Sequence, residues 1–575
     1  MVAVGGQHTE LDGLMRQFDG MKSARVDFDR KWQMASDHIL PRRDFSVTQR
    51  PNQLRPHRVT SSVATNANTR FAALVLTYLI DPTRPFLAPN VKRGLVAAGR
   101  STNLDDDALD YLSAVQWDIF SHMTLERAKL MVRLNSMLKE YGCFGNGVLW
   151  TGRKRGFGPY FNVRPIQACW WSENEEGDID TLFFKLMLPV WRVFQRWPEA
   201  RAVWKAGDDD DRSELELTPI VLACRPRLGG VRGAVAEAKP FAYIAYSEEK
   251  KAILERSGYD SFPYAVFRYD PMPGNAYSEG PGCQVLPDVM VLNHLQEAIE
   301  NAASQKASPP LAMPARMFSK LLDRRPGAVN LYNAAGLGLA RADQAILKLD
   351  FTGDVQQAVE FKKTLIDDIE LGYFTDWMRL REAGDMTAEE VGERRDLRLR
   401  GMSSIVAGLG QPMTSLGDRA LEIMNEEALL APAPPQLARV DVDWEYAGPL
   451  ALAQLRGNAQ SILQLVNAQA LVAKADPDAA DAVDLEECMR ILAEALAAPP
   501  NATRSRAVVK QRAAARAQAA QQQQDVQNAA LAAKAANDGT GAIGNLAGAA
   551  ADVAGAGSPQ APFAPAAPFA QPIAA

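Results

Sequence analysis

Catalysis needs nucleophiles, acid–base pairs or metal ligands at usable spacing, and this chain offers few. Five histidines, His8, His38, His57, His122 and His294, lie far apart. His294 falls off the apolar stripe of its predicted helix, so a solvated or satisfied imidazole is the default reading. Five cysteines, Cys143, Cys169, Cys224, Cys283 and Cys488, form no CxxC pair; neither a zinc site nor a disulfide framework is indicated, and a reducing compartment fits best. The run Asp208 to Asp211 offers carboxylates for a metal-dependent hydrolase, although consecutive acids in an Ala/Gly-flanked loop are ordinarily a solvated turn. "GLGLA" at 336–340 lacks the full dinucleotide fingerprint and its βαβ context. The chain has no GxxxxGKS/T loop, HExxH or GxSxG elbow, so we expect no enzyme, no cofactor and no metal.

Charge is more informative. In "GDMTAEEVGERRDLRLRG" (384–401), Thr387 and Glu390 form a capping box that starts a helix. Glu393, Arg394, Arg395, Asp396, Arg398 and Arg400 then crowd it, leaving only a narrow apolar stripe. Such a helix packs on one side and meets water or a charged partner on the other. A net charge of −6 and a pI near 5.7 argue against affinity built on neutralising many phosphates, but permit a surface past which DNA slides. No basic-then-apolar leader and no stretch of about eighteen uncharged apolar residues is found, so neither secretion by that route nor a membrane span is expected.

At 575 residues the chain exceeds one hydrophobic core, and two to four folding units are expected. The class read from the pattern is α+β, predominantly helical. Helices are predicted over about 9–40, 61–80 and 105–142. Short β-rich runs such as "DTLFFKLML" and "FAYIAYS" fill the chain from about 145 to 268. Two long helices, 284–306 and 354–382, of about 35 and 43 Å, flank a turn-rich insertion. A helix from 387 kinks at Pro412, a strand-like "ARVDVDWEY" leads to a helical segment at about 448–498, and an Ala/Gln-rich helix and a disordered tail end the chain.

The order of signatures resembles the portal, or head-to-tail connector, family of short-tailed bacteriophages. "WQMASDHILPRRDF" is similar to its tryptophan-containing helix with a Leu-Pro step, "ANTRFAALVLTYLIDPTRPFLAP" to its Ala/Leu-rich helix before a proline-flanked aromatic, and "LKEYGCFGNGVLW" to the glycine turn opening its wing. "FRYDPMPGNAYSEGPGCQVLPDVMVLNHL" resembles its Gly/Tyr/Gly-Pro turn and following helix, and "MTAEEV" its Met-Thr-Ala-x-Glu-Val element. Where members commonly have Tyr-Gly-Arg-Gly-Pro, this chain has Glu279 in place of the cation, so any contact of that arginine is not carried over.

The resemblance implies a twelve-subunit ring at one capsid vertex, in the virion and assembled in the host cytoplasm. It maps residues 1–283 to a wing, 284–306 and 353–382 to stem helices, 307–352 to a clip and 383–386 to a tunnel loop. Residues 387–435 become a wing helix, 436–500 a crown, 501–534 an Ala/Gln-rich helix and 535–575 a disordered tail. Implied partners are further copies of the chain, the terminase large subunit, tail adaptor or tail tube proteins, major capsid and scaffold proteins, and duplex DNA passing without sequence-specific binding. Arg379, Arg381, Glu382 and Asp385 are candidates for the loop nearest DNA, with an ordinary solvated helix end as the competing reading. Arg316, Lys320, Arg324 and Arg325 are candidates for clip contacts. A scaffold or internal ejection protein, or a hydrolase using Asp208 to Asp211, are the rival functions.

Overall fold

Apolar residues at helical spacing from Leu11 to Trp32 become, in the computed structural model of the chain, one helix, α1 (Val2–Ile39), which stops before Pro41, whose ring cannot continue it. The structure describes residues 2–41, 59–91, 104–205, 216–227, 229, 238–314, 323, 325–332, 347–348, 355–375, 388–437, 442–448, 461–469, 485–495 and 506–544. Next come α2 (Val63–Leu79) and β1 (Leu87–Asn90), the latter in the proline-flanked stretch. The single helix expected over 105–142 is two, α3 (Asp106–Thr124) and α4 (Leu130–Phe144). Lys129 separates them at φ 60, and the turn frees the Ala128 carbonyl to accept the Phe161 amide at 2.9 Å.

Gly145, at φ +80, caps α4. The β-rich region follows as β2 (Asn146–Lys154), β3 (Gly158–Arg164), β4 (Cys169–Glu173), β5 (Ile179–Pro189), the short helices α5 (Val190–Arg196) and α6 (Ala200–Lys205), β6 (Leu217–Pro226), β7 (Phe241–Ser247), β8 (Ala252–Tyr259) and β9 (Tyr264–Arg268). These strands form two antiparallel sheets, β3-β2-β9 and β4-β5-β6-β7-β8.

The larger sheet is covered on both faces, which is why its strands read as nearly unbroken apolar runs. Phe183, Val221, Ile244 and Tyr246 meet Leu11, Leu14 and Phe18 of α1, while their neighbours Leu182, Phe184, Ile220 and Leu222 belong to the main core. Phe18 is the centre of that cover, with ring centroids 5.0 Å from Trp170 and 5.4 Å from Phe183. Further along α1, buried Arg25 donates to the carbonyls of Ile166, Gln167 and Cys169 and pairs with Asp29 at 2.9 Å. A charge taken out of water needs such partners, and here they lock α1 to the bend before β4.

The chain continues through α7 (Pro281–Gln284), α8 (Leu286–Ala307), β10 (Leu311–Pro314), β11 (Val329–Tyr332), β12 (Leu347–Lys348), α9 (Val355–Gly372), α10 (Ala388–Glu426) and β13 (Asp443–Tyr446). Two further helices, α11 (461–469) and α12 (Leu485–Ala495), lie in the stretch expected to be helical. β10 pairs parallel with β11 and antiparallel with β12. β13 returns to pair antiparallel with β1, Leu87 opposite Tyr446, a junction that the sequence pattern did not suggest. α10 begins at Ala388, where a cap at Thr387 would start it; Thr387 and the Glu390 side chain lie outside the described residues. Pro412 sits within α10 and denies the Gly408 carbonyl its helical donor.

Three expected helix ends differ. α9 stops at Gly372 rather than about 382, with Phe374 turned to φ 57. α10 stops at Glu426, before Ala428 at φ 52, rather than running to about 430–435. The Ala/Gln-rich helix α13 (Arg506–Gly544) continues past 534 into the stretch expected to be disordered, although its last residues, "NDGTGAIG", have low helix propensity. Residues 1–503 form one unit and 504–575 a second. The class is thus α+β, mostly helical, with antiparallel sheets.

Candidate functional site: a helix pair and the turn that anchors it

The turn before α8 is built from "YSEGPG". Tyr277 enters the core among Trp171, Phe28 and Trp32, at 4.5, 5.5 and 5.6 Å between ring centroids. Its hydroxyl accepts the Trp171 amide at 3.3 Å, and burial pushes its pKa up to about 12. Ser278 is clasped by the buried Asn146 side chain, which donates to its carbonyl at 2.7 Å and accepts its amide at 3.1 Å. Glu279 pairs with Lys31 of α1 at 2.6 Å. The anion that departs from the family pattern therefore has a cation waiting for it.

Gly280 then presses on Gly145: a Cβ on Gly280 would lie 2.4 Å from the Gly145 nitrogen and 2.8 Å from the Tyr141 carbonyl oxygen. Only paired glycines let the α4–β2 turn and the entry to α7 approach so closely. Pro281, lacking an N–H, opens α7 without cost.

From this turn α8 leaves with Val285, Leu286, Val289 and Leu292 buried. Asn293 ties it to the chain ahead of α2: its Oδ1 accepts the Ser61 amide at 2.9 Å, its carbonyl accepts the Thr60 hydroxyl at 2.9 Å, and its Nδ2 lies 3.3 Å from His38 Nδ1. α9 returns antiparallel to α8. Gly372 abuts Val285, where a Cβ would meet Cγ1 at 2.3 Å, and farther out Lys362 donates to Gln296. Leu365, Ile369 and Tyr373 bury the inner end of α9, with Tyr373 6.0 Å from Phe71 between ring centroids. No described residue between Leu295 and Leu365 belongs to the hydrophobic core. Among the described residues the pair's core contacts thus lie at one end, and its outer end carries the β11-β10-β12 sheet.

At that outer end Gly327, at φ +70, donates its amide to the Ser308 carbonyl at 2.9 Å, and Asn330 donates to the Asp323 carbonyl at 2.7 Å. Arg325 is exposed and grips its neighbour Asp323 through Nε at 3.0 Å and Nη2 at 2.6 Å. Those hydrogen bonds hold the Asp323 carboxyl down to about 2. Of the four basic residues expected at the clip, Arg325 alone is described, and its guanidinium already has a partner within the turn; Arg316, Lys320 and Arg324 lie outside the described residues. So do Arg379, Arg381, Glu382 and Asp385, and so does the Asp208–Asp211 run.

α10 is fastened to the β-rich region by ions. Arg153 reaches Glu426 at 2.6 Å and Glu427 at 2.9 Å, and Lys239 bridges Asp260 at 2.6 Å and Glu426 at 3.4 Å, while within α10 Arg419 pairs with Glu422 at 2.7 Å. Asp260, Glu422 and Glu426 have oxygens within 4.8 Å of one another, but these cations already neutralise them, and the group acts as a clamp. Burial opposes the Glu426 charge, yet the Arg153 hydrogen bond with Lys239 and Arg419 nearby still lowers its pKa below 4.5. Among the described residues no helix is long and apolar enough to cross a membrane.

What these residues build is a mixed α+β subunit in which a rigidly anchored helix pair holds a small sheet beyond the core. Residues 11–503 match the family described as bacteriophage head to tail connecting protein, and the chain belongs to that family. Over 509 residues it is 23% identical to a protein named probable portal protein of Bordetella phage BPP-1, covering 86% of this chain and 89% of that one. Over 507 residues it is 22% identical to a portal protein of Salmonella phage epsilon15, covering 84% and 87%. It is a structural protein of the phage particle rather than an enzyme.

Proposed function

We propose that copies of this chain close into a ring at one capsid vertex and that the bore of the ring carries DNA in during packaging and out during ejection. The observation that carries this reading is the α8–α9 pair, buried at its base and free of core contacts farther out, with a three-stranded sheet at its tip. A closed cyclic assembly repeats each such pair around an axis, turning one subunit's helix into a wall and each exposed charge into a circle of charge. In this reading α8 and α9 form the stem and residues 307–352 the clip that docks the terminase motor and then the tail adaptor. Residues 383–386 form the loop nearest DNA, α10 a wing helix, and residues 436–500 a crown. Capsid and scaffold proteins meet the wing, whose sheet is held rigid by α1 and by the α10 ion clamp. Twelve copies are inherited from the family resemblance.

Electron microscopy of the purified protein, alone and with scaffold protein, tests the reading. Closed rings with an axial hole are expected; monomers or open filaments under both conditions would refute it.

A further inference from the structure

The second unit of the chain, 504–575, contains α13, whose residues from 511 to 531 are all exposed. A stretch so exposed gains little stability from packing, so its side-chain choice is free to serve something else. Here the choice is lopsided. Between Glu494 and Asp525 the sequence holds Arg504, Arg506, Lys510, Arg512 and Arg516 and not one acidic residue, in a chain of net charge −6. Arg506 opens the helix and no acid occupies its first turn, the reverse of what the helix macrodipole favours. Arg512 and Arg516, one turn apart and exposed, have no ion-pair partner among the described residues.

We propose that the first three turns of α13, carrying Arg506, Lys510, Arg512 and Arg516, are a contact for the phosphate backbone of double-stranded DNA. At 1.5 Å per residue these cations span about 15 Å of helix, and at 3.6 residues per turn they form two i,i+4 pairs about 120° apart around its axis, so a backbone that presents a phosphate every ~1.7 Å of duplex axis can be met from both sides of the helix edge between them. Such a contact holds position without reading bases. The helix has no broad face of large apolar side chains to insert into lipid; its apolar residues are mainly alanine, with Val508, Val509, Val526, Leu531 and Ile543. The inference rests on the proposed DNA-handling role only for the identity of the polyanion, and needs no ring.

The test uses the full chain with Arg506→Gln, Lys510→Gln, Arg512→Gln and Arg516→Gln combined, since glutamine keeps helix propensity. Binding to a short random-sequence DNA duplex is followed by fluorescence anisotropy across a salt series, with oligomeric state measured by mass photometry. We expect weaker binding and a log–log salt slope shallower by about 3 to 4, close to 0.9 per phosphate contact. A control quartet of exposed arginines elsewhere, Arg16, Arg155, Arg192 and Arg201, replaced by glutamine, is expected to leave the slope near wild type. An unchanged slope in the α13 variant, an equal loss in the control, or a changed oligomeric state, which would make a second copy the occupant, overturns the proposal. So does a loss seen on phosphatidylserine vesicles and not on DNA. Failure of the wild-type protein to form rings, with the DNA effect intact, would refute only the ring.

Discussion

Replacing Gly280 with alanine tests the joint between the β-rich region and the helix pair. The new Cβ would sit 2.4 Å from the Gly145 nitrogen, 2.7 Å from its Cα and 2.8 Å from the Tyr141 carbonyl oxygen. All three are backbone atoms in a buried turn, so none can rotate aside as a side-chain tip would. Overpacking of this kind costs about 1–3 kcal/mol, and the absence of any soft neighbour places this case at the upper end. At about 3 kcal/mol the local opening equilibrium rises roughly 150-fold. Amide hydrogen exchange reports that directly, through the amides of Cys283, Gln284, Val285 and Val289, which are bonded within α7 and the start of α8. Gly156→Ala is the contrasting control: unlike Gly280, whose φ is −90, it has a positive φ, +72, and open space around it, so only the left-handed backbone cost of about 1–2 kcal/mol applies, confined to the β2–β3 turn. If Gly280→Ala leaves α7 and α8 protection within threefold of wild type while Gly156→Ala behaves as expected, the close-approach argument is wrong.

Four further outcomes are expected. Glu279→Arg should cost about 0.5–1 kcal/mol, because the pair with Lys31 is only partly buried; adding Lys31→Glu should restore most of it, and zero coupling in the double-mutant cycle would remove the pair from the account. Asn293→Ala leaves the half-buried Ser61 amide without its acceptor, a loss of about 1 kcal/mol read as faster exchange at the start of α2. Phe18→Ala should cost about 3–5 kcal/mol and make α1 upstream of Arg25 protease-sensitive while the α8–α9 pair stays protected; protection lost equally everywhere would contradict separate faces of the sheet. Acid should loosen the ion clamps. Burial opposes charge on Glu426 and Glu248, but Arg153 and Lys239 for one, and Lys185 and Lys22 for the other, bring both below the ordinary 4.5. Their contribution is complete above that value and is lost as pH falls through the lowered folded-state values. Glu426→Gln with Glu248→Gln should therefore flatten the fall in stability between about pH 5 and pH 3, and an equally steep fall would refute the assignment.

Periodic features were legible and contacts remote in sequence were not. The apolar spacing of α1 and α8, and the unbroken apolar strands of the larger sheet, follow from burial on one stripe or on two faces. The break at Lys129 carries no glycine or proline; it is decided by the Ala128 carbonyl's bond to Phe161. The α9 end at Gly372 was hidden because Tyr373 and Trp377 continue the helical stripe, while Phe374 turns left-handed. β1 and β13 meet across most of the chain, and nothing in "PFLAPN" announces "DWEY" as its partner. In the candidate site, "YSEGPG" stood out as a turn, but the partners that give it meaning, Asn146, Gly145 and Lys31, are visible only in three dimensions. The overall acidity discouraged a DNA-binding reading of the whole chain, and by averaging it concealed how one-sided the charge of α13 is.

The most direct test of the ring is a symmetry-relaxed cryo-electron microscopy reconstruction of the phage vertex with this subunit fitted. The account predicts one vertex per particle occupied by a closed ring, with α8 and α9 of every copy around a DNA-filled axis and the β10–β12 sheets at the end facing the tail. Density for the chain at all vertices, or a ring whose axis is lined by the β4–β8 sheet instead of the helix pair, would contradict it.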